Sequence, residues 1–258
     1  MKIFRFKKFN CSHGRGSMKI GVDAVLLGAW TDVGGVSRAL DVGTGCGVIA
    51  LLLAQRIEET LGDGADFRVD AIDIDPPSVE EADGNFKASP WSSRLHATLT
   101  AFSPRLLYSK YDLILSNPPY FDSGVSDPQG SRMVARHQGE LSPSSLLRDS
   151  LPLLAPGGRI ALVLPYEQAD QLIEVGESLG LALLRRCDVR GHKDAPLKRS
   201  LLEFGVKELK NDGVKELKND GVRELERGEL ILEESPGVPT DAYRRLCGPY
   251  YLSPRFNG

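Results

Sequence analysis

No apolar run in the 258-residue chain approaches the roughly 18 residues that a membrane span requires, so no membrane insertion is expected. The N-terminus, Met1-Lys2-Ile3-Phe4-Arg5-Phe6-Lys7-Lys8-Phe9, lacks the apolar core and small-residue cleavage site of a secretory signal. The four cysteines, Cys11, Cys46, Cys187 and Cys247, are scattered and form no CxxC pair. Reduced thiols in a cytoplasmic protein are therefore expected, and Cys11 with His13 is too small a set for a metal site. Strong charge of one sign is also missing: 32 Lys and Arg against 35 Asp and Glu leave a net charge of -3, which does not announce a polyanion as partner. Acid is what the first 19 residues lack. Lys2, Arg5, Lys7, Lys8, Arg15 and Lys19 stand there with no Asp or Glu, forming a basic arm over residues 1–20. Such an arm reads either as an edge strand guarded by its lysines or as a surface for phosphates.

What is present points to one α/β domain over residues 1–258, with 41% hydrophobic residues to build its core. After a short strand over 3–9 and a turn at His13–Ser17, the stretch Asp23–Trp30 reads as a short helix capped by Asp23. Strands are then expected at Ala39–Val42, Phe67–Ile72, His96–Leu99, Asp112–Ser116 and Arg159–Leu164. Helices are expected between them at Val48–Arg56, Val79–Phe86 and Pro143–Leu154, and after them at Gln168–Leu179. Leu183–Arg190 and Ser200–Phe204 follow as a C-terminal antiparallel hairpin. This alternation predicts a doubly wound, mainly parallel, seven-stranded Rossmann-like sheet. The octapeptide Gly205–Asp212 is repeated without change at Gly213–Asp220 and loosely at Gly221–Gly228. A period of eight fits neither a heptad nor a solenoid unit, so residues 205–228 read as a duplicated, dispensable surface insertion between strands.

Three motifs sit where strands end. Asp41-Val42-Gly43-Thr44-Gly45-Cys46-Gly47 joins a strand to a helix, where glycines let a ligand approach the backbone and the helix amides face it. Its G-x-G-x-G spacing differs from the G-x-G-x-x-G of nicotinamide-binding turns. Asp73, in Ala71-Ile72-Asp73-Ile74-Asp75-Pro76, ends the next strand, where a carboxylate can accept both ribose hydroxyls of a nucleoside cofactor; Asp75 is better placed to cap the following helix. Asn117-Pro118-Pro119-Tyr120 follows the strong strand Asp112–Ser116. An amine conjugated to a ring is a poor nucleophile because its lone pair is delocalised. The Asn117 side-chain oxygen and the Pro118 carbonyl can accept its N–H groups and favour the tetrahedral nitrogen that frees the lone pair, with prolines stiffening the loop. Tyr120 offers a face on which an unstacked base can rest. No Cys stands at this motif to act as a nucleophile on a pyrimidine ring.

This order of motifs resembles the amino-methyltransferase branch of the class I methyltransferases, which includes DNA adenine, ribosomal RNA guanine and release-factor glutamine enzymes. The chain resembles most closely the tRNA-valine adenosine-37 N6-methyltransferases. The likeness runs through Met18–Trp30, the three motifs, Ala135-Arg136-His137, Pro196-Leu197-Lys198-Arg199 and Tyr250-Tyr251-Leu252. It departs at Val22, where that family typically carries Thr, and at the octapeptide repeat.

The resemblance implies S-adenosylmethionine as cofactor, held by Asp23, Asp41, Gly43, Gly45, Gly47, Asp73, Leu99 and Asn117. It implies a catalytic Asn117-Pro118-x-Tyr120 set and a tRNA substrate met by Lys7, Lys8, Arg15, Phe121, Arg136, His137, Lys198 and Arg199. Neither a metal nor a membrane enters, and a cytoplasmic monomer is expected. The roughly 38 residues before the first sheet strand leave no room for the helical domain of release-factor enzymes, and no target-recognition domain of the DNA enzymes is visible. Methylation of ribosomal RNA guanine or of a protein glutamine is the alternative within this chemistry. A non-catalytic RNA-binding protein that keeps the cofactor fold is the alternative outside it.

Overall fold

A computed structural model of the chain describes residues 2–16, 20–107, 109–118, 141–207 and 225–256. Most of the octapeptide repeat, residues 208–224, lies outside these, as do Tyr120, Phe121, Arg136 and His137. A hairpin of β1 (Lys2–Arg5) and β2 (Asn10–His13) comes first, then α1 (Val22–Trp30). The alternating part follows as β3 (Arg38–Val42), α2 (Val48–Leu61), β4 (Arg68–Asp73), α3 (Pro76–Lys87), β5 (Leu95–Leu99) and β6 (Tyr111–Ser116). Next come α4 (Pro143–Ser150), β7 (Leu154–Pro165), α5 (Ala169–Ser178), β8 (Leu181–Arg190) and β9 (Arg199–Val206). The chain ends with β10 (Glu226–Ile231), the short pair β11 (Glu233–Ser235) and β12 (Val238–Pro239), and α6 (Asp241–Cys247).

One sheet carries β5-β4-β3-β6-β7-β9-β8-β10 in that order. The five strands from β5 to β7 run parallel, and β9 is antiparallel to both of its neighbours. The doubly wound, mainly parallel sheet with its late antiparallel pair is thus as expected, but it has an eighth strand. Glu226–Ile231 pairs parallel with β8. Its sequence, Glu-Arg-Gly-Glu-Leu-Ile, carries the charge of a solvated edge and hides the strand from a hydrophobicity pattern.

Strand alternation divides the core into two layers. Ala39, Leu113, Leu115, Ala161 and Val163 pack with α1 and α2, whereas Leu40, Val42, Ile114, Ile160 and Leu162 pack with α4 and α5. Helix α1 lies so close to α2 that a Cβ on Gly28 would come within 2.9 Å of Leu52 Cδ1. Two local expectations are corrected. Gly21, not Asp23, occupies the N-cap of α1, and no side chain caps that end. Residues 3–9 form part of a hairpin, with Phe6 buried and bridged to Tyr251.

The arginines of β8 are committed to ion pairs. Arg185 and Arg159 both face the fully buried Glu203, each at 3.4 Å, and the Arg185 guanidinium lies 4.3 Å from the Trp30 ring centroid. Burial pushes the Glu203 carboxyl up against these cations, which pull it down. Arg186 pairs with Asp188 and Asp170, and Arg190 with Glu229.

The strand order also limits how the repeat can be shortened. The link from β9 to β10 must cross β8, because Phe204 lies opposite Leu183 and Glu229 opposite Asp188. Two strand spacings and five residues of rise separate those ends by roughly 19 Å, while two inserted residues reach about 11 Å. Joining Phe204 to Glu229 by a Gly-Asn turn should therefore strip β10 from the sheet and lower the melting temperature. Removing only the exact copy Gly213–Asp220 should change stability by less than about 0.5 kcal/mol. Denaturation of both variants checks this; equal stability would show that β10 contributes nothing.

Candidate active site

The carboxyl ends of the parallel strands meet at one level because of their register. Val42 lies opposite Ile72 on one side and Ser116 on the other, and Asp73 lies opposite Leu99. The residues following these positions, Gly43, Asp73 and Asn117, therefore stand along one edge. The amides of Gly43 and Thr44 both donate to Ile72 O, at 2.9 and 3.0 Å, and Ser116 Oγ donates to Val42 O at 2.8 Å. These bonds lock the strand ends together.

The turn from Gly43 to Gly47 needs its glycines. Gly43, Gly45 and Gly47 have φ of 72°, 55° and 83°, in the left-handed region that costs other residues about 1–2 kcal/mol each. A Cβ on Gly47 would also strike Phe86 Cε1 at 2.5 Å, whereas Cβ atoms on Gly43 and Gly45 would meet nothing within 4 Å. The turn is closed toward α3 and open along its outer side. Asp73 accepts from Gly45 N at 2.9 Å and from Asp75 N at 3.0 Å, so it shapes the turn as well as facing its mouth. Asp75 caps α3, as expected, accepting from Ser78 N and Ser78 Oγ.

Asp41 is fully buried. Its Oδ2 accepts from Thr44 Oγ1 at 2.7 Å, and Oδ1 is buried with no hydrogen-bond partner among the described residues. Loss of hydration pushes its carboxyl up to about 7, against the Thr44 hydroxyl and nearby backbone, which pull it down. A buried acceptor beside a glycine turn fits a cationic amino group. The glycine amides are already spent, Gly43 N on Ile72 O, Gly45 N on Asp73 and Gly47 N on Thr44 O, so an adjoining carboxylate end meets the open space beside Gly43 and Gly45 rather than free N–H groups, and Asp73 fits a pair of ribose hydroxyls. These residues fit the amino-acid and ribose parts of S-adenosylmethionine.

The other expected residues fall in different places. Asn117 is half-buried and Pro118 buried at the end of β6. Leu99 ends β5 with 53% of its surface exposed, so its backbone rather than a pocket is what it offers an adenine. Asp23 sits in the first turn of α1 and pairs with Arg199 Nε at 2.8 Å. Arg199 starts β9 opposite Pro165, at the carboxyl end of β7, and Lys198 beside it is exposed. The basic arm is spread along the molecule. Lys8 pairs with Glu59, roughly 16 Å along α2 from the glycine turn, and Lys7 is anchored by its amide on Tyr250 O. Arg15 stands at the hairpin's other end, held by its backbone N–H on Glu81. Tyr120, Phe121, Arg136 and His137 lie outside the described residues.

Sequence reading missed Glu81 and Asn85. Both are buried on α3, one turn apart, and both bind the backbone of the hairpin. Neither belongs to a motif; only their place on the buried side of a helix could have singled them out. Asn85 Nδ2 also donates to Cys46 O at 2.8 Å, and Cys11 Sγ lies 3.8 Å from Cys46 Sγ. The cysteines that looked scattered thus include a pair of free thiols in contact.

Residues 23–173 match the family model of the methyltransferase small domain. The chain is 43% identical to the tRNA1(Val) (adenine(37)-N6)-methyltransferase of Tolumonas auensis, over 96% of each chain. It is 45% identical to the protein of the same name from Parabacteroides distasonis, over 79% of this chain and 83% of that one. Among solved structures it resembles a predicted O-methyltransferase of Agrobacterium tumefaciens, with a TM-score of 0.61, 16% identity, and 88% and 96% of the two chains covered. At that identity the likeness concerns the fold.

Asp41 gives the site a pH dependence. Without a cationic partner the protonated carboxyl is favoured up to about pH 7, so its contribution to stability is lost as pH rises through that value. A bound ammonium favours the ionised form, so binding below pH 7 releases a proton. The affinity for S-adenosylmethionine should rise between pH 5.5 and 7.5, by up to about tenfold per unit at the acid end. Asp41→Asn should bind more weakly and without this trend. Calorimetry over that range checks it; a flat profile for the unsubstituted protein would take Asp41 out of contact with the amino group.

Proposed function

Because the chain belongs to the tRNA1(Val) (adenine(37)-N6)-methyltransferase family, we propose that it transfers a methyl group from S-adenosylmethionine to N6 of the adenosine beside the anticodon of a valine tRNA. The observation that carries this reading is the placement of Asn117-Pro118 at the end of β6, level with the glycine turn and next to it in the sheet. With a tRNA substrate, the cytoplasm is its place of work.

Each residue has a distinct task. Asp41 and the open side of the glycine turn hold the amino-acid end of the cofactor, and Asp73 accepts its ribose hydroxyls. Bound there, S-adenosylmethionine supplies an electrophilic methyl group on a sulfonium. Asn117 and the Pro118 carbonyl accept the two N–H groups of the adenine amine and turn its lone pair toward that methyl. Both acceptors gain strength as the nitrogen becomes tetrahedral and positive, so they act more on the transition state than on the bound substrate. Orientation supplies much of the remaining rate. As the N–C bond forms the methyl–sulfur bond would break, leaving S-adenosylhomocysteine, and the positively charged amine would then lose its proton to solvent.

Asn117→Ala should lower kcat by roughly 100-fold or more and leave cofactor affinity nearly unchanged, as expected for one preorganised polar group. Single-turnover transfer with saturating cofactor and RNA is the measurement, and a rate equal to that of the unsubstituted protein would overturn the assignment of this site.

RNA contacts near the site fall to exposed cations at its two sides, Arg15 and Lys198. The double variant Arg15→Gln, Lys198→Gln should weaken tRNA binding and flatten its dependence on salt, lowering the slope of log K against log salt by about 1.5–2. An unaltered slope would move the interface elsewhere, beginning with Lys7 and Lys8 at the hairpin's far end.

A further inference from the structure

Helix α3 presents two buried polar side chains, Glu81 and Asn85, each only 4% exposed, where an amphipathic helix would ordinarily present apolar ones. Both are spent on the backbone of the N-terminal segment. The Asn85 side chain accepts from Ser12 N at 2.8 Å and donates to Ser12 O at 2.9 Å. The Glu81 carboxylate gathers three successive amides: Gly14 N at 3.2 Å, Arg15 N at 3.2 and 3.3 Å, and Gly16 N at 3.4 Å. Gly14 reaches this arrangement at φ 111°, in the region that favours glycine. Successive amides turned toward one point form a concave nest for an anion, and here the anion is a side chain of the protein itself.

The path so fixed follows the cofactor site. At one end Cys11 touches Cys46, the residue between Gly45 and Gly47. At the other end Gly16 is pressed on the first turn of α3, where a Cβ would lie 2.2 Å from Ser78 Oγ and 3.1 Å from Ser78 Cα. Ser78 is bonded to Asp75, and Asp75 N to Asp73 Oδ1. Residues 11–16 therefore run from the glycine turn to the first turn of α3, which is bonded through Asp75 to Asp73. Apolar packing would hold a hairpin on a helix without setting its position to within one hydrogen bond. A charge with three amides does set it, and those amides offset the cost of burying the charge.

We propose that Glu81 is a positioning residue for the cofactor: it holds residues 14–16 as a wall of the site beside Asp73, and the site is incomplete without it. This rests on the reading of the glycine turn and Asp73 as the S-adenosylmethionine site. In Glu81→Gln the charge that gathers the three amides is gone and Arg15 N meets an opposing N–H₂ in place of Oε1, so the wall loosens while α3 keeps a side chain of the same size.

The test is calorimetric binding of S-adenosylmethionine in the absence of RNA, with thermal melting and steady-state kinetics on the same preparations. Glu81→Gln should raise the Kd, and with it the KM for cofactor, by about tenfold or more, while kcat at saturating cofactor and KM for RNA stay within about threefold. A merely structural role would lower the melting temperature and leave this split absent. If Glu81→Gln does not fold, Gly16→Ala decides, since its Cβ must push the same segment off Ser78; it should raise Kd in the same way. A folded variant with a Kd within twofold of the unsubstituted protein overturns the proposal. Failure of the unsubstituted protein to bind S-adenosylmethionine is a separate result: it would remove the reading of the site, and the proposal with it.

Discussion

The register of the parallel strands is the constraint on which the rest of this molecule depends. Hydrogen bonding fixes Val42 opposite Ile72 and Ser116, so β3, β4 and β6 end together. Three short segments, far apart in the chain, then leave the sheet at the same level: the glycine turn, the Asp73 loop and Asn117-Pro118. A slip of one residue in any strand would turn its buried side chains to the other layer of the core, so the two-layer packing that stabilises the sheet also fixes the site. Stability and function here rest on the same bonds.

The glycine turn shows how much chemistry this edge concentrates. It combines left-handed backbone, a carboxylate with a buried unpaired oxygen and contact with the N-terminal hairpin through Cys46. Burial of Asp41 costs free energy that the hydrophobic surround must offset, and a cationic ligand would relieve that cost on binding. The carboxylates of Asp73 and Glu81 work differently, since each is already engaged by backbone amides. Those two define shape, while Asp41 is buried beneath the turn on the Thr44 hydroxyl.

Strands buried on both faces read as continuous apolar runs that end in Gly, Asp or Asn, and for that reason β3, β4 and β6 and their motifs were legible in the sequence. What was not legible depends on contacts between distant residues. The basic arm looked uniform, yet its parts lie at opposite ends of a hairpin, Lys8 against Glu59 and Arg15 against Glu81. The arginines of β8 are likewise matched to acids, Arg185 and Arg190 through strand pairing with Glu203 and Glu229, and Arg186 with Asp188 on its own strand. Strand β10 and helix α6 carry too much charge for a periodicity to reveal them. The N-terminus of α1 was misplaced because Gly21 caps it without any side chain.

Substrate identity is the central claim, and it is the part of the account that a fold shared with O-methyltransferases cannot carry. The most direct measurement incubates the purified protein and S-adenosylmethionine bearing an isotopically labelled methyl group with unmodified valine tRNA, then maps the label by nucleoside and oligonucleotide mass spectrometry. Label in N6-methyladenosine at the position beside the anticodon is the result this account expects. Label in a guanine, or none in the tRNA while a protein glutamine or ribosomal RNA accepts it, would contradict it.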